Sequence, residues 1–119
     1  MAMTVVEFLE ARVAEDELTA QAAVEGSPVW HAFYDYRDVK DGDGHYVVQA
    51  DSLRPSVEQA AHISRQDPAR VLRQCTAIRA VIAEALRRDA TAQGDPALEE
   101  LVRELAAIYA DHPDYGTWV

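Results

Sequence analysis

The stretch "HISRQDPARVLRQC", residues 62–75, places an Asp-Pro pair between two helical patterns. A proline ring disfavours helical geometry in the residue before it, here Asp67. Asp67 is suited to cap a new helix, and Pro68 is suited to its first position, where no backbone N–H is needed. The pair therefore predicts that one helix ends near Arg65 and that the next begins at Pro68.

Capping signals and apolar spacing extend this pattern along the chain. Two helices are expected to begin at capping boxes, whose capping residues are Thr4 and Ser56. A third begins at Asp95-Pro96, which has the same capping pattern as residues 67–68. Together with the periodicity of apolar residues, these signals predict four helices, over residues 4–24, 56–65, 68–89 and 95–110. Residues 111–119 follow as a tail.

Residues 29–50 have a different character. The segment 29–37, "VWHAFYDYR", is rich in aromatic and β-branched residues, which favour a strand. "DVKDGDG" at 38–44 is typical of a turn, and "HYVVQA" at 45–50 reads as the returning strand. We predict one β-hairpin over residues 29–50. The expected fold is α+β and mainly α, with four helices packed with this hairpin in a single domain over residues 1–119.

Composition and charge restrict the function. The chain is 49% hydrophobic and 27% charged, which is typical of a globular domain. Its net charge of −10 argues against direct nucleic-acid binding, since affinity there comes mostly from neutralised phosphates. The charge is uneven: by residue counts, segment 1–58 is −8, segment 59–90 is +3 and segment 91–119 is −5. Either the acidic ends pair with the basic middle, or the middle is a basic face for a partner.

The location of the protein is an expectation from what the sequence lacks. The start of the chain is acidic and has no signal-peptide pattern, and no apolar run reaches the ~20 residues that span a bilayer. The single cysteine, Cys75, fits a reducing compartment and falls on an apolar helical stripe, which predicts a core residue. We expect a cytoplasmic protein, in the host cytoplasm if a phage encodes it, with no membrane partner.

No residue pattern indicates a metal, a cofactor or a catalytic site. The four histidines have no metal-ligand spacing, although a simple hairpin register would bring His31 near His45. A calcium loop beginning at Asp41 fails, because Tyr46 and Ser52 stand where glycine and glutamate are needed. No nucleophile motif or phosphate loop is present. We therefore expect no metal, no cofactor and no catalytic residues.

Three segments resemble one known family: "VEFLEARVAEDE" (6–17), "HISRQDPARVLRQCTAIRAVI" (62–82) and "YADHPDY" (109–115). In this order they are similar to an uncharacterised family of actinobacteria and their phages, domain of unknown function 6221. The middle motif of that family has a second histidine where this chain has Gln66. Many relatives also carry a cysteine-bearing segment where this chain has "DPALEELVRELA" (95–106). The resemblance implies an origin and no established activity.

The resemblance draws attention to a set of motif residues, which we interpret as structural or partner-binding: His62, Asp67, Arg70, Arg73, His112, Asp114 and Tyr115. Arg70 lies in the first turn of its predicted helix, where the helix dipole disfavours a cation. It is therefore expected to pair with a carboxylate, either in this chain or in another molecule. The tail is expected to dock on the start of that helix, with His112 or Asp114 pairing with Arg70 or Arg73.

The leading functional interpretation is a non-catalytic accessory protein, of phage or actinobacterial origin, that binds another protein of unknown identity. One alternative is an acidic decoy that occupies a nucleic-acid-binding protein. A second alternative is an enzyme that uses His62 and nearby acids. An open cleft joining His62, Asp67 and His112 would favour that alternative.

The hairpin also suggests self-association. Two strands alone leave two open edges, and a second copy commonly covers such an edge. We expect a homodimer with an interface at or near the aromatic face of the hairpin, formed by Trp30, Tyr34 and Tyr36.

Overall fold

The computed structural model describes residues 3–33, 37–91 and 94–118. Within these residues the chain forms four α-helices, three β-strands and one 3-10 turn. In chain order they are α1 (Val5–Ala22), β1 (Trp30–Phe33), β2 (Asp38–Asp41), β3 (Tyr46–Val48), α2 (Val57–Arg65), α3 (Pro68–Ala90), α4 (Pro96–Ala106) and the 3-10 turn Ala107–Tyr109. The predicted class, α+β and mainly α, is confirmed.

The helices begin where the local capping signals place them. The amide of Glu7 donates to Thr4 Oγ1, and Glu7 Oε1 accepts from the amide of Thr4, both at 3.1 Å. Ser56 and Gln59 form the same reciprocal pair at the start of α2. At α4, the amide of Leu98 donates to the carboxylate of the capping Asp95. These caps satisfy amides that helical hydrogen bonding leaves free, which is why short sequence signals locate the helix starts.

The predicted hairpin is wrong and is replaced by a three-stranded antiparallel sheet in the order β1-β2-β3. Residues 38–41, assigned to the turn from their composition, form the central strand. Its register pairs Ala32 with Val39 and Val39 with Val48. The physical reason is burial: Val39 is fully buried and Asp41 is 5% exposed, so tertiary contacts outweigh the poor strand propensity of aspartate.

The turn between β2 and β3 is organised by the buried carboxylate of Asp41. It accepts hydrogen bonds from the amides of Ser27, Asp43 and His45 and from the His45 ring. Burial alone would raise the pKa of Asp41, but the hydrogen bonds from His45, Ser27 and Asp43 lower this pKa from 3.8 to about 2. The charged carboxylate is therefore part of the folded turn.

This low pKa predicts a specific dependence of stability on pH. Because the unfolded chain takes up the proton first, the stability that ionised Asp41 contributes is full above about pH 4 and is lost as the pH falls towards 2. Urea unfolding of the wild type and Asp41→Asn from pH 6 to pH 2 would measure it. We expect the stability difference between the two proteins to shrink over this range. An unchanged difference would contradict the assigned role of the carboxylate.

The chain folds as two compact units, and the first comprises residues 1–16 and 74–119. Its buried apolar side chains come from α1, α3 and α4; they are Phe8, Leu9, Val13, Cys75, Ile78, Ile82, Ala85, Val102 and Ala106. Cys75 is 2% exposed, and its thiol lies 3.9 Å from the carbonyl oxygen of Val13. The structure thus places Cys75 in a core, as its apolar stripe predicts.

The second unit, residues 17–73, contains the sheet and α2. Helix α2 packs against β1 and β2. Val39 and Ala60 are buried in this unit. Antiparallel pairing puts Val48 on the same face of the sheet as Val39, which is the face that holds the core. This arrangement leaves the end of β3 as one wall of the cavity described next.

Candidate functional site

An open cavity of about 610 Å³ lies in the second unit. Its lining comes from the end of β3, the loop before α2 and one side of α2; it consists of Val48, Gln49, Arg54, Pro55, Glu58, Gln59, His62 and Ile63. We call it the His62 cavity. Most of its surface is apolar, and the polar side chains stand at its exposed edge. An apolar floor with a few polar groups is the usual composition of a binding site.

Three titratable side chains at this edge are available to a ligand. Arg54, Glu58 and His62 are exposed, and within the described part of the chain their side chains form no hydrogen bond or ion pair. Glu58 and His62 are neighbours on α2, four residues apart. By contrast, Gln59 is committed to the cap of α2 through the amide of Ser56.

The loop wall of the cavity is held by Arg37, which has the left-handed backbone conformation with φ +56°. Its guanidinium donates to the carbonyl oxygens of Pro55 at 2.8 Å and Asp51 at 2.6 Å. The Asp51 carboxylate accepts the amides of Leu53 and Arg54, which lowers its pKa. These bonds fix the loop that carries Arg54 and Pro55, so Arg37 is a positioning residue for the cavity.

The Asp67-Pro68 junction joins α3 to β1 through hydrogen bonds. Asp67 is 8% exposed, and its Oδ1 accepts from the amide of Arg70 at 2.8 Å, as expected of a helix cap. Its Oδ2 accepts from the amide of Trp30 at 3.1 Å, so the same carboxylate also ties β1 to the start of α3. A second link joins the amide of Ala69 to the carbonyl of Pro28. Both carboxylate oxygens of Asp67 are therefore used within the fold.

The tail residues also have structural contacts, but their partner differs from the predicted one. We expected His112 or Asp114 to pair with Arg70 or Arg73, whereas the arginine beside them is Arg12 of α1. Its Nη1 lies 2.8 Å from Nδ1 of His112 and 4.0 Å from the Asp114 carboxylate. Sequence periodicity cannot identify this contact, because Arg12 and His112 are 100 residues apart.

An aromatic cluster surrounds this contact. The Phe8 ring meets the rings of His112, Tyr115 and Trp118 at centroid distances of 5.7, 6.1 and 5.2 Å. The Arg12 guanidinium lies over Phe8, 5.3 Å from the ring centroid. Arg12 is 9% exposed and also donates to Glu15 at 2.9 Å. The aromatic contacts account for the motif residues His112 and Tyr115 as residues that pack on α1.

Five of the six arginines in the basic middle segment fall into two groups. Arg87 and Arg88 form ion pairs with Glu84, whose pKa these bonds lower to about 2. Arg65, Arg70 and Arg73 are exposed and, among residues 3–33, 37–91 and 94–118, pair with no carboxylate. Internal pairing thus accounts for Arg87 and Arg88 at the far end of the segment. Arg65 lies one turn beyond His62 on α2, which extends the edge of the His62 cavity with positive charge.

Of the three aromatic residues expected at a dimer interface, the structure describes Trp30. Trp30 is half-buried and, by its pairing with Asp41, lies on the face of the sheet that holds Val39. Tyr34 and Tyr36 lie outside the described residues. The expected approach of His31 to His45 is also absent from the register, which pairs His31 with Lys40, while His45 contacts Asp41 in the turn.

The described ranges lack a metal-binding cluster and a membrane-spanning helix. They contain no group of three or more histidine, cysteine or acidic side chains that could hold a metal ion. They also contain no helix with the length and hydropathy needed to cross a membrane.

Several residues of the site carry no signal in the sequence. Arg37, Arg54 and Pro55 are brought to the cavity by a loop and by contacts between distant residues. Only His62 of the predicted motif residues lines the cavity. Its four-residue spacing from Glu58 was visible, but such a pair on an exposed helix face has no specific meaning alone.

Comparison with known proteins gives one result. A family model described as "Family of unknown function (DUF6221)" matches residues 2–119. No curated protein and no solved structure matches the chain.

Proposed function

Because the chain belongs to the DUF6221 family, whose function is unknown, we propose a function from the site itself. The chain is a non-catalytic accessory protein, of phage or actinobacterial origin, that binds another protein at the His62 cavity. The partner segment carries an apolar side chain for the cavity floor and carboxylates for the arginines beside it. The three segments similar to the family support the origin.

One observation carries the proposal: at the edge of an open apolar cavity stand Arg54 and, one turn beyond His62, Arg65, and neither arginine side chain has a partner among the described residues. Between residues 54 and 73 the exposed charges are Glu58 and four arginines, namely Arg54, Arg65, Arg70 and Arg73. Transferring a leucine-sized side chain into the cavity contributes about 1.5–3 kcal/mol. The arginines add selectivity for acidic segments and a faster association rate.

The same geometry argues against the alternative of an enzyme that uses His62 and nearby acids. Of the residues proposed for a catalytic cleft, only His62 lines the cavity. Asp67 is used by the amides of Trp30 and Arg70, and His112 contacts Arg12. Glu58 and His62 are exposed to water, whereas acid–base pairs work in convergent, shielded sites.

The acidic-decoy alternative has weaker support. A decoy needs carboxylates that are free to replace phosphates, but many acids here are engaged within the chain. Asp41, Asp51, Asp67 and Asp95 accept backbone amides, and Glu84 binds two arginines. The net charge alone therefore supports the decoy less than the exposed Arg54 and Arg65 support a binding site for an acidic segment.

Fluorescence polarisation with synthetic peptides tests the proposal. The probe is a labelled peptide with two leucines four residues apart among glutamates. Its controls replace the glutamates with lysines, or the leucines with alanines. We expect only the acidic leucine peptide to bind, and Arg65→Glu to weaken it about tenfold, or ~1.4 kcal/mol.

The control variant, Lys40→Glu, makes the same charge change on the other face of the sheet, where Lys40 lies over Phe33 and Tyr46. It should leave binding unchanged. If the lysine peptide binds equally well, or if neither peptide binds at millimolar concentration, the proposal is wrong.

A further inference from the structure

Helix α4 and its 3-10 extension display an acidic and apolar stripe to solvent. Leu101 is 56% exposed and Ile108 is 61% exposed, although both are large apolar residues. They are seven residues apart, and Glu104 lies between them on the same side of the helix. Val102 and Ala106, on the other side, are buried. We call Leu101, Glu104 and Ile108, with neighbouring Glu100, the α4 stripe.

The helix that carries the α4 stripe is held by a hydrogen bond at each end. Asp95 caps the start of α4. At the other end the Tyr109 hydroxyl donates to the carboxylate of Asp16 at 2.6 Å. Desolvation and this hydrogen bond raise the pKa of Tyr109. The exposed side chains therefore stand on a helix fixed at both ends.

We infer that the α4 stripe of one copy of this chain binds the His62 cavity of a second copy. The inference rests on the proposed function, because the α4 stripe has the chemistry assigned to a partner segment. Leu101 or Ile108 fits the apolar floor, and Glu100 and Glu104 face Arg54 and Arg65. The two segments that would meet have opposite net charges: residues 91–119 carry −5, and residues 59–90 carry +3.

Charge complementarity selects the second copy over an unrelated apolar surface. Two copies repel each other as wholes, since each has a net charge of −10. At physiological salt this repulsion is screened beyond about 8 Å, while contacts at the cavity edge act at shorter range. A dimer is the commonest assembly of identical chains. A foreign acidic segment would compete for the same cavity and release the dimer.

A charge-exchange experiment tests the inference on the full chain. The first variant carries Arg54→Glu and Arg65→Glu, and the second carries Glu100→Arg and Glu104→Arg. Light scattering and sedimentation at 150 mM salt, on the order of physiological ionic strength, measure association. We expect wild-type dimers, at least tenfold weaker association of each variant alone, and recovery when the two are mixed, because each variant then supplies the charge its partner lacks. Circular dichroism checks that both variants are folded.

Three outcomes would overturn the inference. One is a wild-type chain that stays monomeric at millimolar concentration. Another is a dimer that neither variant weakens, and the third is a mixture that fails to recover. Binding of the acidic leucine peptide is measured separately on the same samples. If that peptide binds while the chain stays monomeric, only the inference fails, and the proposed function stands.

Discussion

Phe8→Ala is expected to lower the free energy of unfolding by about 3–5 kcal/mol, the range for removing a fully buried aromatic side chain. Phe8 has no exposed surface and contacts the rings of His112, Tyr115 and Trp118. The substitution leaves a cavity and also removes the surface on which the tail packs. Chemical denaturation, followed by circular dichroism and by tryptophan fluorescence, measures the loss.

The matched control is Phe33→Ala, the same substitution at the other phenylalanine of the chain. Phe33 is 45% exposed, so its replacement should cost less than about 1 kcal/mol. If the two variants lose the same free energy of unfolding, the tail does not pack on Phe8. A loss below about 1 kcal/mol for Phe8→Ala would show the same.

Asp67→Ala is expected to cost about 2–3 kcal/mol, more than an ordinary helix cap. Loss of the cap accounts for ~1 kcal/mol. The rest comes from the amide of Trp30, which loses its acceptor in a partly buried position, an effect of about 1–2 kcal/mol. Denaturant unfolding gives the total, and hydrogen exchange of the Trp30 amide reports on the lost link to β1.

Asp95→Ala is the control, because Asp95-Pro96 uses the same capping device at α4. Among the described residues the Asp95 carboxylate accepts no amide from a strand, so its loss should cost only about 1 kcal/mol. If the two alanine variants are equally destabilised, the link between Asp67 and Trp30 adds nothing. If Asp67→Ala retains full stability but loses peptide binding, Asp67 belongs to the binding site.

The sequence predicts the parts of this fold that depend on near neighbours. The capping boxes at Thr4 and Ser56 and the Asp-Pro caps each use residues within one turn, so their signals are local. The central strand was missed because Asp38 and Asp41 look like turn residues when read alone. What overrides their propensity is burial of Val39 and the amides that converge on Asp41, neither of which periodicity reveals.

The candidate site was less predictable than the fold. His62 and the arginines at 70 and 73 could be selected from the sequence, but the cavity beside His62 depends on Arg37, which reaches carbonyls 14 and 18 residues away. The structural roles of Asp67 and His112 likewise depend on Trp30 and Arg12, distant partners that no local spacing indicates.

Cys75 gives the chain a built-in chemical reporter. It is the one cysteine in the sequence, and only 2% of its surface is exposed. A thiol in such a position reacts with a labelling reagent only when the surrounding helices separate, so the labelling rate measures how often the first unit opens. Thiol modification followed by mass spectrometry can therefore measure the opening rate of the first unit in the wild-type protein. The measurement needs no added probe and works at concentrations too low for calorimetry.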